Sequence, residues 1–423
     1  MIHYITTNGI GNAWVGNELR IADRSGIPFV LHAMRKPNAD FFMSGWAQDL
    51  DRRTRIIYPL SPVGLAIAIA LAPVLFGWRF FAALANALFG ERENPRSRIA
   101  GIAHLFVACH WARAIRREGV KHVHSQWAHS CCTIGMYGAW LLGVPFSFTG
   151  HAVDLFRDRA ALKDKIRRAD FIICISTFHR DFFKQNGARD EQLHIAYCGI
   201  DPSLFSPKVK HWEPGRPFQI LSSGRLVEKK GFEYLIDACK LLADRGEQFQ
   251  CVIAGSGPLE HDLRGRINTL GLADHVKMTG QPLKQEKIPE FMHSGDIYCL
   301  PCVWAKDNDV DGLPQMLMEA MACGLPVIST RLVGIPDLVI DGKTGLLVEP
   351  RNAEQLAEAI VSLKSDSEQA ARLAEAGREW VVEKFDISKS LEPLLDQFRS
   401  KIRQSSRADD GIKRVAIAGE SSD

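Results

Sequence analysis

Two carboxylates eight residues apart, Asp311 and Glu319, frame a segment that runs from the loop Gly312-Leu313-Pro314 through an apolar stretch to Gly324-Leu325-Pro326. A helix beginning near Leu313 or Pro314 aims unpaired backbone N–H groups and the positive end of its dipole at whatever lies in front of it, an environment that favours a phosphate. Glu319, further along, is suited to accept hydrogen bonds from vicinal hydroxyls such as those of a ribose. Asp311 also suits the cap of that helix, with Pro314 as an early helical residue. Upstream, Gly224-Arg225-Leu226-Val227-Glu228-Lys229-Lys230-Gly231 offers a cationic pair: Arg225 grips an anion as a bidentate fork and Lys230 acts as a point charge. Gly255-Ser256-Gly257 is a second glycine-rich turn. His151 follows an apolar strand and is a candidate partner for a substrate hydroxyl, the alternative being a ring bonded to its own backbone.

These residues need strands that end where they begin. Strand-like runs at 2–6, 29–32, 55–58, 122–124, 144–149, 169–176 and 193–197 alternate with helical stretches, and a second alternation has strands at 218–223, 250–254, 276–280, 296–301, 327–330 and 344–348. That pattern predicts an α/β protein with two parallel sheets, each binding ligands at the carboxyl ends of its strands. The expected organisation is a first domain over 1–205 with an apolar insertion at 60–89, a second over 216–385, a helix at 386–403 packing back toward the first, and a disordered polar tail at 404–423. Gly199-Ile200-Asp201-Pro202, with Pro207, Pro214 and Pro217, reads as the linker. Gly9 and Gly11 mark a tight turn after the first strand that leaves room for an acceptor. Trp14 stands where the third glycine of a dinucleotide fingerprint belongs, so no such cofactor is expected.

From Leu60 to Trp78 there is no charged residue, and Arg79 alone interrupts the apolar character up to Phe89. The first run has the length of a membrane span, roughly 20 residues. A single crossing, however, would put strands 55–58 and 122–124 of one sheet on opposite sides of the bilayer, and Pro62 and Pro73 divide the run. Two short apolar helices lying on or dipping into a membrane face are expected, with a buried helical hairpin as the alternative. Arg92, Arg96 and Arg98 are placed to meet anionic headgroups.

The 423 residues suffice for two cores, and 46% hydrophobic with 24% charged residues is globular composition. A net charge of +3 makes no electrostatic case for nucleic acid. Ten cysteines without regular spacing suit a reducing cytoplasm, and the first residues lack the basic and long apolar regions of a signal peptide. Cys299-Leu300-Pro301-Cys302 has no second pair to complete a zinc site, and although Asp309-Val310-Asp311 spells a metal pattern, no metal or other cofactor is expected.

The segments 224–231 and 255–258, the Asp311-to-Glu319 spacing followed by Met321-Ala322-Cys323-Gly324-Leu325-Pro326-Val327, and Asp341-Gly342-Lys343-Thr344-Gly345 resemble the retaining glycosyltransferases of the two-Rossmann-domain (GT-B) type, glycosyltransferase family four. These include bacterial capsule, exopolysaccharide and lipopolysaccharide sugar transferases. Asn17-Glu18-Leu19, 124–129 and 145–154 resemble the colanic-acid branch more narrowly. The resemblance implies two Rossmann-like domains facing across a cleft, a nucleotide-diphosphate sugar on the second and an acceptor on the first, on the side of Gly9, Gly11, Asn17 and Glu18. Gly224, Gly255, Gly257, Gly312, Leu313 and Pro314 then line the donor, Glu319 holds the ribose, Arg225 and Lys230 meet the phosphates, and His151 lies on the C6 side of the donor sugar. Asp311 stands where the family usually has Glu and points at sugar hydroxyls one methylene shorter. Implied too are a lipid-linked saccharide or polysaccharide acceptor and a peripheral place on the inner face of the cytoplasmic membrane. A soluble acceptor, or a nucleotide-sugar-binding protein without turnover, stays open as an alternative.

Overall fold

The computed structural model describes residues 1–11, 13–37, 45–207 and 216–403; the tail 404–423 and Pro214 of the expected linker lie outside them. The chain divides into two compact units, one of Met1–Ile175, His179–Ala196 and Leu391 onward, the other of Ser176–Phe178 and Tyr197–Ser390. Residues 197–205, read from sequence as part of the first domain, thus group with the second. In the first unit, strands β1 (Ile2–Thr6), β2 (Phe29–Ala33), β3 (Arg55–Ile56), β4 (His122–Gln126), β5 (Phe146–Gly150), β6 (Phe171–Cys174) and β7 (Leu193–Ile195) form one sheet in the order β3-β2-β1-β4-β5-β6-β7. In the second, β8 (Phe218–Ser223), β9 (Phe249–Ala254), β10 (Val276–Met278), β11 (Ile297–Leu300), β12 (Val327–Thr330) and β13 (Leu346–Val348) run β10-β9-β8-β11-β12-β13.

Every pairing is parallel. Helices therefore cover both faces, which is why every residue of β1, β4 and β5 is buried, polar ones included. Each order reverses once, between β1 and β4 and between β8 and β11, and such reversal points open a crevice at the strand carboxyl ends. The expected alternation of strands is present throughout, with β3 shorter than the 55–58 run.

The apolar insertion folds as helices Pro62–Phe76 and Trp78–Phe89, turning at Gly77, whose φ is 55°. One stripe (Ala68, Ala72, Phe76, Phe80, Ala83, Ala87) is buried, packed on helices Pro95–Ile115 and Ser130–Leu142. The opposite stripe (Val63, Ile67, Leu71, Val74, then Trp78, Phe81, Leu88, Phe89) faces outward, with Val74 and Phe89 each 83% exposed. Among the described residues no helix is long and apolar enough to cross a membrane.

Arg92 departs from its expected surface role. Its guanidinium is buried 2.6 Å from Asp164 Oδ2 and donates to Tyr137 Oη at 2.8 Å, while Asn86 of the second apolar helix donates to the same Asp164 oxygen at 2.8 Å. The pair fastens the insertion to the unit; Arg96 remains exposed.

The start of the expected linker is bound into the second unit, where Ile200 donates to Phe385 O at 2.9 Å and accepts from Ile387 N at 2.8 Å. Residues 392–403 are helical and return to the first unit, with Phe398 set against Tyr4, His124 and Phe171.

Candidate functional site

In the second unit the exits of β8 and β9 are laced together. Gly224 N donates to Ala254 O at 3.0 Å and Leu226 N to Ser256 O at 2.9 Å. A Cβ on Gly255 would lie 1.9 Å from Gly224 O and one on Gly257 2.6 Å from Leu226 O, so only glycine permits this approach. The lacing sets Arg225 beside the short turn Glu228–Lys230, close enough for its charge to act on Lys230.

The loop after β11 brings the acids to that turn. Lys230 Nζ is ion-paired with Asp311 Oδ2, and Lys229 Nζ lies 3.1 Å from Asp311 Oδ1 and 3.2 Å from Asp309 Oδ1. All four side chains are only 10 to 16% exposed. Burial works against both charges of the Lys230–Asp311 pair, but each partner offsets it: Asp311 holds the Lys230 ammonium above its usual pKa, and Lys230 with Lys229 holds the Asp311 carboxyl below its own. Asp311 does not cap the following helix. That helix runs Gln315–Ala322 with extended Pro314 as its N-cap and no side-chain cap bond, so its first N–H groups follow Gly312, Leu313 and Pro314 directly. Glu319 sits in its second turn, 7% exposed; its buried Oε2 has no hydrogen-bond partner among the described residues, and burial pushes its pKa up to about 7.

The first unit gathers the other sequence candidates. Gly9 (φ 56°) and Gly11 close a tight turn after β1, with Gly11 N donating to Asn8 O at 2.9 Å. Helix Ala13–Arg24 then carries half-buried Asn17 and buried Glu18. Glu18 accepts from Tyr4 Oη and, at 2.8 Å, from Gln126 Nε2. Gln126 Oε1 in turn lies 3.5 Å from His151 Nε2. Glu18, Gln126 and His151 thus form one buried chain at the exits of β1, β4 and β5. Burial raises the Glu18 carboxyl to about 8 and lowers the His151 ring to about 3, so near neutrality both are uncharged. The imidazole is wedged between Trp14 and Trp127, ring centroids 4.2 and 4.8 Å away, and its backbone N–H donates to Asp154 Oδ1 at 3.0 Å.

The structure therefore joins Lys230 to Asp311 in one unit and Glu18 to His151 in the other. It also adds residues to which the sequence alone gave no part in the site: Lys229 and Asp309, Tyr4 and Gln126, and Asp154 with buried Lys165. Lys165 Nζ donates to Ala128 O at 2.8 Å and His129 O at 3.1 Å, fixing the β4 exit from below. Gln126 and Asp154 lay inside motifs already singled out. Nothing local distinguishes Lys229 from Lys230, or marks Lys165 as buried.

Residues 207–380 match the family described as glycosyl transferases group 1, and residues 81–204 the one described as glycosyltransferase family 4. The putative colanic acid biosynthesis glycosyltransferase WcaL of Escherichia coli is 36% identical over 234 residues, 54% of this chain and 57% of that protein. The amylovoran biosynthesis glycosyltransferase AmsK of Erwinia amylovora is 36% identical over 201 residues, 47% of this chain and 49% of its own length. The chain thus spans about half the length of the curated relatives it matches. Among solved structures, Anabaena Alr3699/HepE in complex with UDP superimposes with a TM-score of 0.70 over 94% of this chain and 99% of that one, at 18% identity, a likeness of fold. Two glycosyltransferase family models thus match in tandem, on a chain whose two Rossmann-like units share the fold of a GT-B structure.

Proposed function

We propose that the protein transfers a sugar, with retention, from a nucleotide-diphosphate sugar to a lipid-linked oligosaccharide or polysaccharide acceptor in exopolysaccharide synthesis, at the inner face of the cytoplasmic membrane. The observation that carries the reading is the cluster at the β8 and β11 exits, where Arg225 and Lys230, the start of helix Gln315–Ala322 and the unpartnered Oε2 of Glu319 meet the needs of diphosphate and ribose. The UDP held by the structural relative supports a nucleotide donor, and the colanic acid and amylovoran relatives support the polysaccharide context.

In this reading the bond from the sugar's anomeric carbon to the β-phosphate oxygen breaks as the acceptor oxygen bonds to that carbon. The acceptor's proton passes to the leaving phosphate. Charge gathering on the phosphate is met by Arg225, Lys230 and the helix N–H groups, with no metal required. Glu319 accepts from the ribose hydroxyls and Asp311 from the donor sugar. His151, a neutral ring, receives or gives a hydrogen bond to a hydroxyl.

The outward stripe of the 60–89 insertion is the surface we assign to the membrane. Leaving a Val, Ile, Leu or Phe side chain fully in water forgoes roughly 1.5–3 kcal/mol, and seven such residues stand on this stripe, with Trp78 suited to the headgroup level.

A thermal-shift screen of UDP-, GDP- and ADP-sugars, followed by donor hydrolysis and transfer assays, tests the reaction. Glu319→Ala and Arg225→Ala are expected to abolish turnover with the fold intact, and unchanged turnover overturns the assignment. Flotation with anionic liposomes tests the location; a protein that never leaves the soluble fraction removes the membrane role.

A further inference from the structure

Glycosyl transfer as proposed above draws on Lys230 and leaves its neighbour Lys229 without a task. The geometry gives it one, and the inference rests on that proposed function. Lys229 is fixed through its backbone, whose carbonyl accepts from Val303 N at 3.0 Å, while Glu228 accepts from Lys306 N at 3.1 Å. The turn 228–230 is therefore pinned to the loop that carries the acids. Asp311 is held by a different lysine at each oxygen: Lys229 Nζ at Oδ1, 3.1 Å away, and Lys230 Nζ at Oδ2. Beyond these, Asp311 faces the Cys302 thiol, 3.9 Å from Oδ2, and Asp309 shares Lys229 on its own loop.

The two ammonium groups are not equivalent. The Lys230 stem passes over Gly224, where a Cβ would come 3.2 Å from its Cε, so Lys230 lies along the β8 exit beside Arg225, in the place the phosphates are assigned. Lys229 is bound to two carboxylates instead. A diphosphate that draws Lys230 away uncovers Oδ2 while the charge-assisted bond at Oδ1 persists. Lys229 also bridges Asp309 and Asp311, so removing it takes one ammonium from between two like charges.

We propose that Lys229 is a positioning residue that holds Asp311 by Oδ1, and that Oδ2, covered by Lys230, is the oxygen handed to a donor-sugar hydroxyl when the diphosphate takes Lys230.

The test uses the full chain as wild type, Lys229→Met, Lys229→Arg and Lys230→Met, each checked for an unchanged melting temperature. Carboxylate carbon NMR, with the Asp311 signal assigned by Asp311→Asn, follows its titration without any substrate. Lys229→Met is expected to raise the Asp311 midpoint and Lys229→Arg to restore it; an unmoved midpoint overturns the proposal. With UDP-glucose, GDP-mannose and ADP-glucose as donors, Lys229→Met is expected to lower kcat roughly tenfold or more with KM for the donor within about twofold, and to move the acid limb of kcat to higher pH. A donor KM that rises as much as in Lys230→Met makes Lys229 a phosphate ligand and also overturns it. If wild type neither binds nor turns over any nucleotide sugar, the glycosyl-transfer reading fails, and with it the hand-over to a sugar; the carboxylate titration still decides whether Lys229 holds Asp311.

Discussion

Glu18, on the helix that follows β1, and Asp311, on the loop that follows β11, both lie beside the reversal point of a parallel sheet and both are well buried, yet their chemistry is opposite. Glu18 has only neutral partners, the Tyr4 hydroxyl and the Gln126 amide, and burial raises it to about 8. Asp311 has an ammonium on each oxygen and stays below the usual carboxylate value. Depth alone does not decide whether a buried acid is charged; the nearest counter-ion does. The Glu18-to-His151 chain of the first unit is therefore uncharged and aromatic-walled, suited to hydroxyls, and the Lys229–Lys230–Asp311 cluster of the second is ionic, suited to phosphate.

The largest effect that can break this contrast is expected at Lys230. Lys230→Ala removes both the proposed phosphate contact and half of Asp311's support, and donor turnover should fall by roughly three orders of magnitude, with a matching loss of donor binding by calorimetry. Asp311→Asn comes next. It leaves Lys229 and Lys230 without their shared acid, and kcat should drop by about a hundredfold while nucleotide diphosphate binds no more weakly, because Lys230 is released to it.

A smaller and different response is expected at Glu18. Its folded pKa lies above the usual 4.5, so the folded state keeps a proton that the unfolded chain gives up, and this group lowers stability progressively as pH rises from about 4.5 to about 8. Glu18→Gln should flatten that decline in melting temperature and change little below pH 4.5; an unchanged slope would mean that Glu18 is ionised in the folded protein. The smallest effect belongs to the membrane surface. Val74→Ser with Phe89→Ser should reduce liposome flotation severalfold with the melting temperature within a few degrees, since both side chains are 83% exposed.

The strand exits were legible because hydrophobic runs ending in glycine or polar residues mark them directly, and with them came Arg225, Lys230, Asp311, Glu319 and His151. Partners were not. Arg92 read as a headgroup contact because the acid that buries it, Asp164, comes 72 residues later with no local signature. Asp311 also read, as its lesser alternative, as a helix cap, a place that extended Pro314 takes while the two lysines hold the carboxylate. Lys229 was hidden by its identical neighbour, since only the fold of the turn decides which side chain meets which oxygen.

Helix 392–403 lends Phe398 to the aromatic packing of the first unit. On the ribosome, the strands of the first unit emerge well before this helix, which completes their packing, while every residue of the second unit is also made before it. The half that is synthesised first is therefore completed last, and a chain stalled or cut before 392 would carry a finished second unit and an unsealed first one.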